Sequence, residues 1–149
     1  MYKKIVTWGA IVSSLVMTGC ASVPMAPKEQ DMAMKKFEAP VANKAGLYIY
    51  RNTFVGQALK KAVSLDGKLI GQTANKVYFY KPVDPGQHVL STESEFGDNS
   101  LKFEASVGKN YFFEQYIKMG VFVGGANIRM VTEDEGKKTI GECSLAQEQ

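Results

Sequence analysis

KAVSLDGKLIGQT, residues 61–73, sets two short apolar runs on either side of Asp66-Gly67. Asp-Gly between apolar runs is a strong signal of a type I′ hairpin, because both turn positions need positive φ and these residues tolerate it. The turn sets a register in which Leu65 faces Lys68 and Val63 faces Ile70. A hairpin of this kind belongs to an antiparallel sheet, and the texture of the chain on both sides agrees with one.

From Gly46 onward, short apolar and aromatic runs are broken at regular intervals by Gly, Pro, Asp and Asn, the habit of an all-β domain. GLYIYR (46–51) precedes the hairpin, and KVYFYK (76–81) follows it. Pro85-Gly86 then suits a turn with Pro second and Gly third, and QHVLSTESE (87–95) continues the series. In SLKFEASV (100–107), Leu101, Phe103, Ala105 and Val107 alternate with Lys102, Glu104 and Ser106, so one face is core and the other solvent. YFFEQYIKM (111–119) and ANIRMV (126–131) supply the last strands. Thr132 and Glu135 have the spacing of a capping box, which predicts a short C-terminal helix despite Gly136 and Gly141. The expected fold is all-β: an antiparallel β-sandwich of seven or eight short strands with no parallel pairing.

The N-terminal part reads differently. Lys3 and Lys4 precede an uncharged run from Ile5 to Met17. Thirteen residues are too few for a membrane span, which needs about 20 apolar residues, but suit a secretory signal peptide. MTGC, residues 17–20, resembles the bacterial lipobox, which implies cleavage after Gly19 and a diacylglyceryl group on the Cys20 sulfur. Residues 1–19 are thus expected to be a lipoprotein signal peptide. Residues 20–45 follow as the lipidated cysteine and a flexible, Pro-containing tether with a short helix near Gln30 to Phe37, and residues 46–149 as the sandwich. Two or three acyl chains hold essentially permanently, so no other membrane signal is required. By the same resemblance, Ala21 in place of Asp implies the outer membrane of an organism with two membranes, the domain facing the periplasm.

Processing removes two lysines, so the formal net charge falls from +3 to +1. A near-neutral chain whose lysine pairs, Lys35-Lys36 and Lys60-Lys61, are isolated makes no electrostatic case for nucleic acid. With Cys20 lipidated, Cys143 is the remaining thiol and is expected to be buried as a small hydrophobe.

GLYIYR, VSLDGKLIG, VDPGQHVLSTESE, GKNYF and KMGVFVGGA, in this order, resemble the bacterial lipoprotein family known as domain of unknown function 2846, over about Lys44 to Cys143. DGKLIG with DPGQHVL is also similar to the small sandwich repeats named after Pro-Glu-Gly-Ala, although Asp84-Pro85-Gly86-Gln87 lacks that tetrapeptide. The resemblance implies a prealbumin-like sandwich on an envelope lipoprotein, with no assigned catalytic residue and no cofactor.

Little in the chain argues for catalysis. His88 is the sole histidine, so a His-based metal cluster is excluded and any triad would have to use it; just after a turn at a strand start, it reads as a surface or satisfied edge residue. Glu93 and Glu95 on one strand face, with Asp98 in a turn, lack EF-hand spacing and read as solvated carboxylates. Met25, Met32 and Met34 read as linker residues rather than metal ligands.

GVFVGG has two readings: a buried strand with glycine bends, or an apolar contact loop formed by Gly120, Val121, Phe122, Val123, Gly124 and Gly125. The expected function is a non-catalytic module binding another envelope protein. The alternative is a glycan or peptidoglycan binder using exposed members of Tyr48, Tyr50, Tyr78, Tyr80, Tyr111 and Tyr116, and a hydrolase comes third.

Overall fold

The structure, a computed structural model, describes residues 21–149. Cys20 and the segment expected as a signal peptide lie outside the described residues. The first element is a helix, α1 (Lys28–Met34), followed by β1 (Ala45–Arg51), β2 (Lys61–Leu65), β3 (Lys68–Thr73) and β4 (Val77–Val83). Next come β5 (Gly86–Ser94), β6 (Gly97–Ala105), β7 (Asn110–Lys118), β8 (Gly125–Val131), helix α2 (Glu133–Ile140) and β9 (Ser144–Leu145). Two sheets result, ordered β8-β7-β1-β4-β9 and β3-β2-β5-β6, packed as a sandwich.

The β2–β3 hairpin turns as its sequence predicts. Asp66 and Gly67 both have positive φ, 50° and 79°, and Leu65 pairs with Lys68. The register then departs from expectation: a bulge between Val63 and Ser64 brings Val63 opposite Gly71, not Ile70. Packing explains the shift. A Cβ on Gly71 would lie 2.7 Å from the Phe79 ring, so a glycine must occupy the position where that ring crosses.

The second sheet is antiparallel throughout, but the first is mixed, with β1 parallel to β7 and β4 parallel to β9. The expectation of purely antiparallel pairing fails because β6 and β7 are consecutive yet lie in different sheets. The turn near Gly108 carries the chain from one sheet to the other, and β7 then enters beside β1 in the same direction. Leu101, Phe103 and Ala105 point inward as expected; Val107, expected beside them, is 54% exposed because β6 stops at Ala105. Asp98 lies in β6 opposite Glu93 and not in a turn.

Between the sheets, Leu47, Ile49, Val63, Ile70, Phe79, Leu90, Phe103 and Phe113 form the inner core. A second core lies on the outer face of the five-stranded sheet, where Tyr48, Tyr50, Tyr78 and Phe112 pack against Ile140, Cys143 and Leu145. Both faces of β1 are therefore covered, and all seven of its residues are buried. Thr132 caps α2 by accepting the Glu135 N–H at 3.3 Å, and Gly136 lets the helix lie against Phe112, where a Cβ would come within 2.5 Å of the ring. Gly136→Ala is accordingly expected to destabilise by about 1–3 kcal/mol through overpacking, although Ala normally favours a helix interior by about 1 kcal/mol. Urea unfolding of the two chains measures the sign.

The segment expected as a flexible tether is folded onto the domain. Ala26 N–H donates to the Leu145 carbonyl at 3.0 Å, Gln147 N–H donates to the Pro24 carbonyl at 2.9 Å, and Met25 bridges Ala146. Asp31 accepts from the Tyr78 hydroxyl at 2.9 Å and from the Leu145 N–H at 3.0 Å, while the Phe37 ring packs tilted against that of Tyr48 with centroids 5.3 Å apart. The tyrosines under this segment need both apolar cover and hydroxyl partners, and α1 supplies them.

Candidate functional site

One end of the sandwich is formed by the C-terminal ends of β1, β5 and β7, where the register places Arg51, Ser94 and Lys118. The loop 52–60, the turn at Glu95-Phe96 and the loop 119–124 leave from these positions and meet. A Cβ on Gly56 would lie 2.9 Å from Ile117, one on Gly124 would lie 2.8 Å from Leu59, and one on Gly125 would lie 2.8 Å from Ser94. Segments about 25 to 40 residues from one to the next in sequence thus form one surface. Large apolar side chains project from it: Phe54, Phe96, Met119 and Phe122 are each 80–84% exposed, and Val55, Val121 and Val123 are exposed beside them. Monomeric soluble proteins rarely leave so much contiguous large apolar surface uncovered without a use for it.

Of the predicted contact loop, Gly120, Val121, Phe122 and Val123 are exposed, Gly124 is half-buried, and Gly125 is buried at the start of β8. The contact-loop reading therefore holds for exposure, and the buried-strand reading does not. Phe54, Val55, Phe96 and Met119 were missed by sequence reasoning. For Phe54, Val55 and Phe96 the signal was available: apolar residues in the turn-rich stretches NTFVGQ and EFGD, where solvent is the usual neighbour.

Two charged side chains hold the loops in place. The Glu95 carboxylate accepts the N–H groups of Val121 at 2.6 Å, Phe122 at 2.5 Å and Val123 at 3.4 Å. Desolvation works to raise the Glu95 pKa, but the three donors outweigh it and hold the carboxyl below the ordinary glutamate value. Beneath the tip, Arg51 is fully buried and donates from Nη2 to the Gly56 carbonyl at 2.6 Å and from Nη1 to the Thr73 carbonyl at 3.4 Å. Its Nε lacks a partner, and no carboxylate pairs with it among the described residues. Burial alone pulls its pKa down. Thr73 bonds Gln115, and Gln115 donates to Thr92 at 2.7 Å, completing a buried polar layer under the loops.

The remaining sequence candidates lie elsewhere. His88 is held by both ring nitrogens, with Nδ1 2.6 Å from Asp66 and Nε2 2.7 Å from the Asp84 carbonyl. Partial burial pulls the imidazole pKa down, but the Asp66 bond and charge together with Asp84 raise it above 6.5. Partial burial pushes Asp66 the other way, and His88 with the Val89 N–H holds it below 3.8. Stability from the histidine is therefore complete below pH 6.5 and fades as pH rises through the raised value; stability from the aspartate is present above 3.8 and lost on acidification. An NMR titration is expected to place the His88 midpoint above 6.5, and Asp66→Asn should lower it.

Glu93 accepts the Ala62 N–H at 2.9 Å. Cys143 is buried as expected, its thiol pushed up to about 12 by desolvation, which leaves almost no thiolate at neutral pH. Tyr48, Tyr50 and Tyr78 are buried under the helices, whereas Tyr80, Tyr111 and Tyr116 are half-buried. Tyr80 borders a shallow groove between α1 and β9 with Gln30, Met34 and Gln147. Of the three methionines, Met34 packs against the outer core and Met25 and Met32 are exposed. No group of three or more His, Cys, Asp or Glu suited to a metal ion occurs among the described residues.

A family model described as protein of unknown function (DUF2846) matches residues 41–126, from the approach to β1 to the start of β8. The chain is also 49% identical over 133 residues to a Haemophilus influenzae protein bearing the description "uncharacterized protein", a match covering 89% of this chain and 79% of that one. The sandwich with its three-loop tip is thus the fold of a chain that belongs to the DUF2846 family.

Proposed function

We propose that the protein is a cell-envelope lipoprotein, anchored through Cys20, whose sandwich is a non-catalytic module for binding another envelope protein. The observation that carries the binding role is the apolar tip: four large side chains at 80–84% exposure on loops tied down by Glu95 and Arg51. A loop already fixed in an exposed apolar conformation has less ordering entropy left to lose when an occupant binds. The anchoring rests on the signal-like segment and the MTGC stretch at residues 17–20, and Ala21 directs the reading to the outer membrane, with the domain in the periplasm. Among the described residues no helix is long and apolar enough to cross a membrane, so attachment in this reading falls to the lipid.

The non-catalytic reading is supported by the engagement of both His88 ring nitrogens and by the high pKa of Cys143. The glycan reading draws less support, because three of its six tyrosines are covered by the helices. The test of anchoring is metabolic labelling with a palmitate analogue. Label and membrane fractionation are expected for the natural chain and lost in Cys20→Ser; an unlabelled natural chain ends the lipoprotein reading.

A further inference from the structure

The position of the N-terminal segment bears on which way the tip faces. Pro24 lies opposite Gln147 and Ala26 opposite Leu145, while β9 runs parallel to β4 from Val77 onward. Traced backward, the chain therefore descends along the sandwich, away from the end that carries Arg51 and Val77. Val23 is buried in the inner core, and Ala21, the first described residue, packs against that core. The described chain thus enters the sandwich from the side away from the tip, and in the lipid-anchored reading, where Ala21 follows the anchor, the membrane lies on that side. A nine-residue strand such as β5 rises about 30 Å between these ends.

We infer that the three-loop tip is a prebuilt docking surface for a protein that approaches from the side away from the anchoring leaflet and offers an apolar concavity to Phe54, Phe96, Met119 and Phe122. The inference rests on the lipid-anchored reading above. The anchoring leaflet is excluded as occupant by the separation of the two ends. Face-to-face pairing of two tips is excluded because copies anchored in one leaflet point their tips the same way, and a side-by-side pair is told apart by the crosslinks below. The rings of Phe54, Phe96 and Phe122 are able to stack on a sugar, but Val55, Met119, Val121 and Val123 beside them offer a glycan neither hydrogen bonds nor a ring, and the mixture suits the apolar centre of a protein interface. Glu95 takes up three backbone N–H groups of the projecting loop, so Val121 to Val123 can enter an apolar pocket without leaving these donors unpaired.

The test uses the full chain in living cells, with a photo-crosslinking amino acid at position 122 or 96 and a control at Lys102 on the exposed face of β6. One discrete adduct with a different protein is expected at 122 and at 96 and not at 102, reduced at least about fivefold when Glu95→Ala is added. In a second arm, the purified lipidated protein is placed in phosphatidylethanolamine–phosphatidylglycerol vesicles carrying a headgroup quencher. A fluorophore at Ser106→Cys, in the turn at the opposite end, is expected to be quenched and one at Phe122→Cys not. Adducts to lipid or to a second copy, monomer alone at both tip positions, an adduct insensitive to Glu95→Ala, or quenching at position 122 would each overturn the inference. Failure of the anchoring reading is seen separately, as a natural chain that takes up no palmitate label.

Discussion

A chain beginning at Ala45 is expected to lose at least about 5 kcal/mol of stability relative to residues 21–149, which is as much as many domains possess. The loss follows from what residues 21–44 cover. Val23 leaves the inner core, where full burial contributes about 1.5–3 kcal/mol, and Phe37, half-buried against the outer core, takes a smaller contribution with it. The Tyr48 hydroxyl loses the Met34 carbonyl at 3.0 Å, the Tyr78 hydroxyl loses Asp31 at 2.9 Å, and β9 loses the strand-like partner that pairs with Leu145 and Gln147. A Tyr or backbone group left unpaired in an otherwise covered site costs about 1–3 kcal/mol. Some of these groups regain water once the segment is gone, so the total is less than their sum. Urea unfolding of the two soluble chains, followed by far-ultraviolet circular dichroism, measures it. Equal midpoints would return residues 21–44 to the status of a tether and remove the argument for the orientation of the tip.

The second large effect comes from comparing two phenylalanines. Phe113→Ala is expected to cost about 3–5 kcal/mol, because the side chain is fully buried between the sheets with its ring 4.8 Å from that of Phe103, and its removal leaves a cavity that the two sheets cannot close. Phe122→Ala makes the same chemical change at a residue 83% exposed, and its stability is expected to stay within about 0.5 kcal/mol of the natural chain. Partner crosslinking from position 96 should show the reverse order of sensitivity, falling with Phe122→Ala. A large loss of stability from Phe122→Ala would mean that the loop packs on the domain and is not free to dock.

Much of the fold was legible because the signals concerned are local. Alternation in Leu101, Phe103 and Ala105 reports a strand with one covered face, and Thr132 followed by Glu135 reports a helix start; the structure contains both. Val63 and Gly71 show where such reading stops. The turn fixes only its nearest pairs, and the bulge beyond them answers to the Phe79 ring arriving from the other sheet. The candidate site was legible in part. GVFVGG stood out by composition, but composition states that a residue is apolar and not whether anything covers it. Phe54 and Phe96 join Phe122 only when three loops meet, and no spacing rule connects residues so far apart in the chain.

The sequence by itself determined the strands β1 to β8, the Asp66-Gly67 hairpin turn and the cap of the C-terminal helix, because each depends on φ preferences, side-chain alternation or a hydrogen bond reaching three residues along the chain. Only the tertiary structure decided that β7 lies parallel to β1, that residues 21–44 cover an outer core of tyrosines, and that the apolar loops remain uncovered at one end. Those outcomes depend on which surfaces meet, and burial is a property of the assembled layers rather than of any one segment.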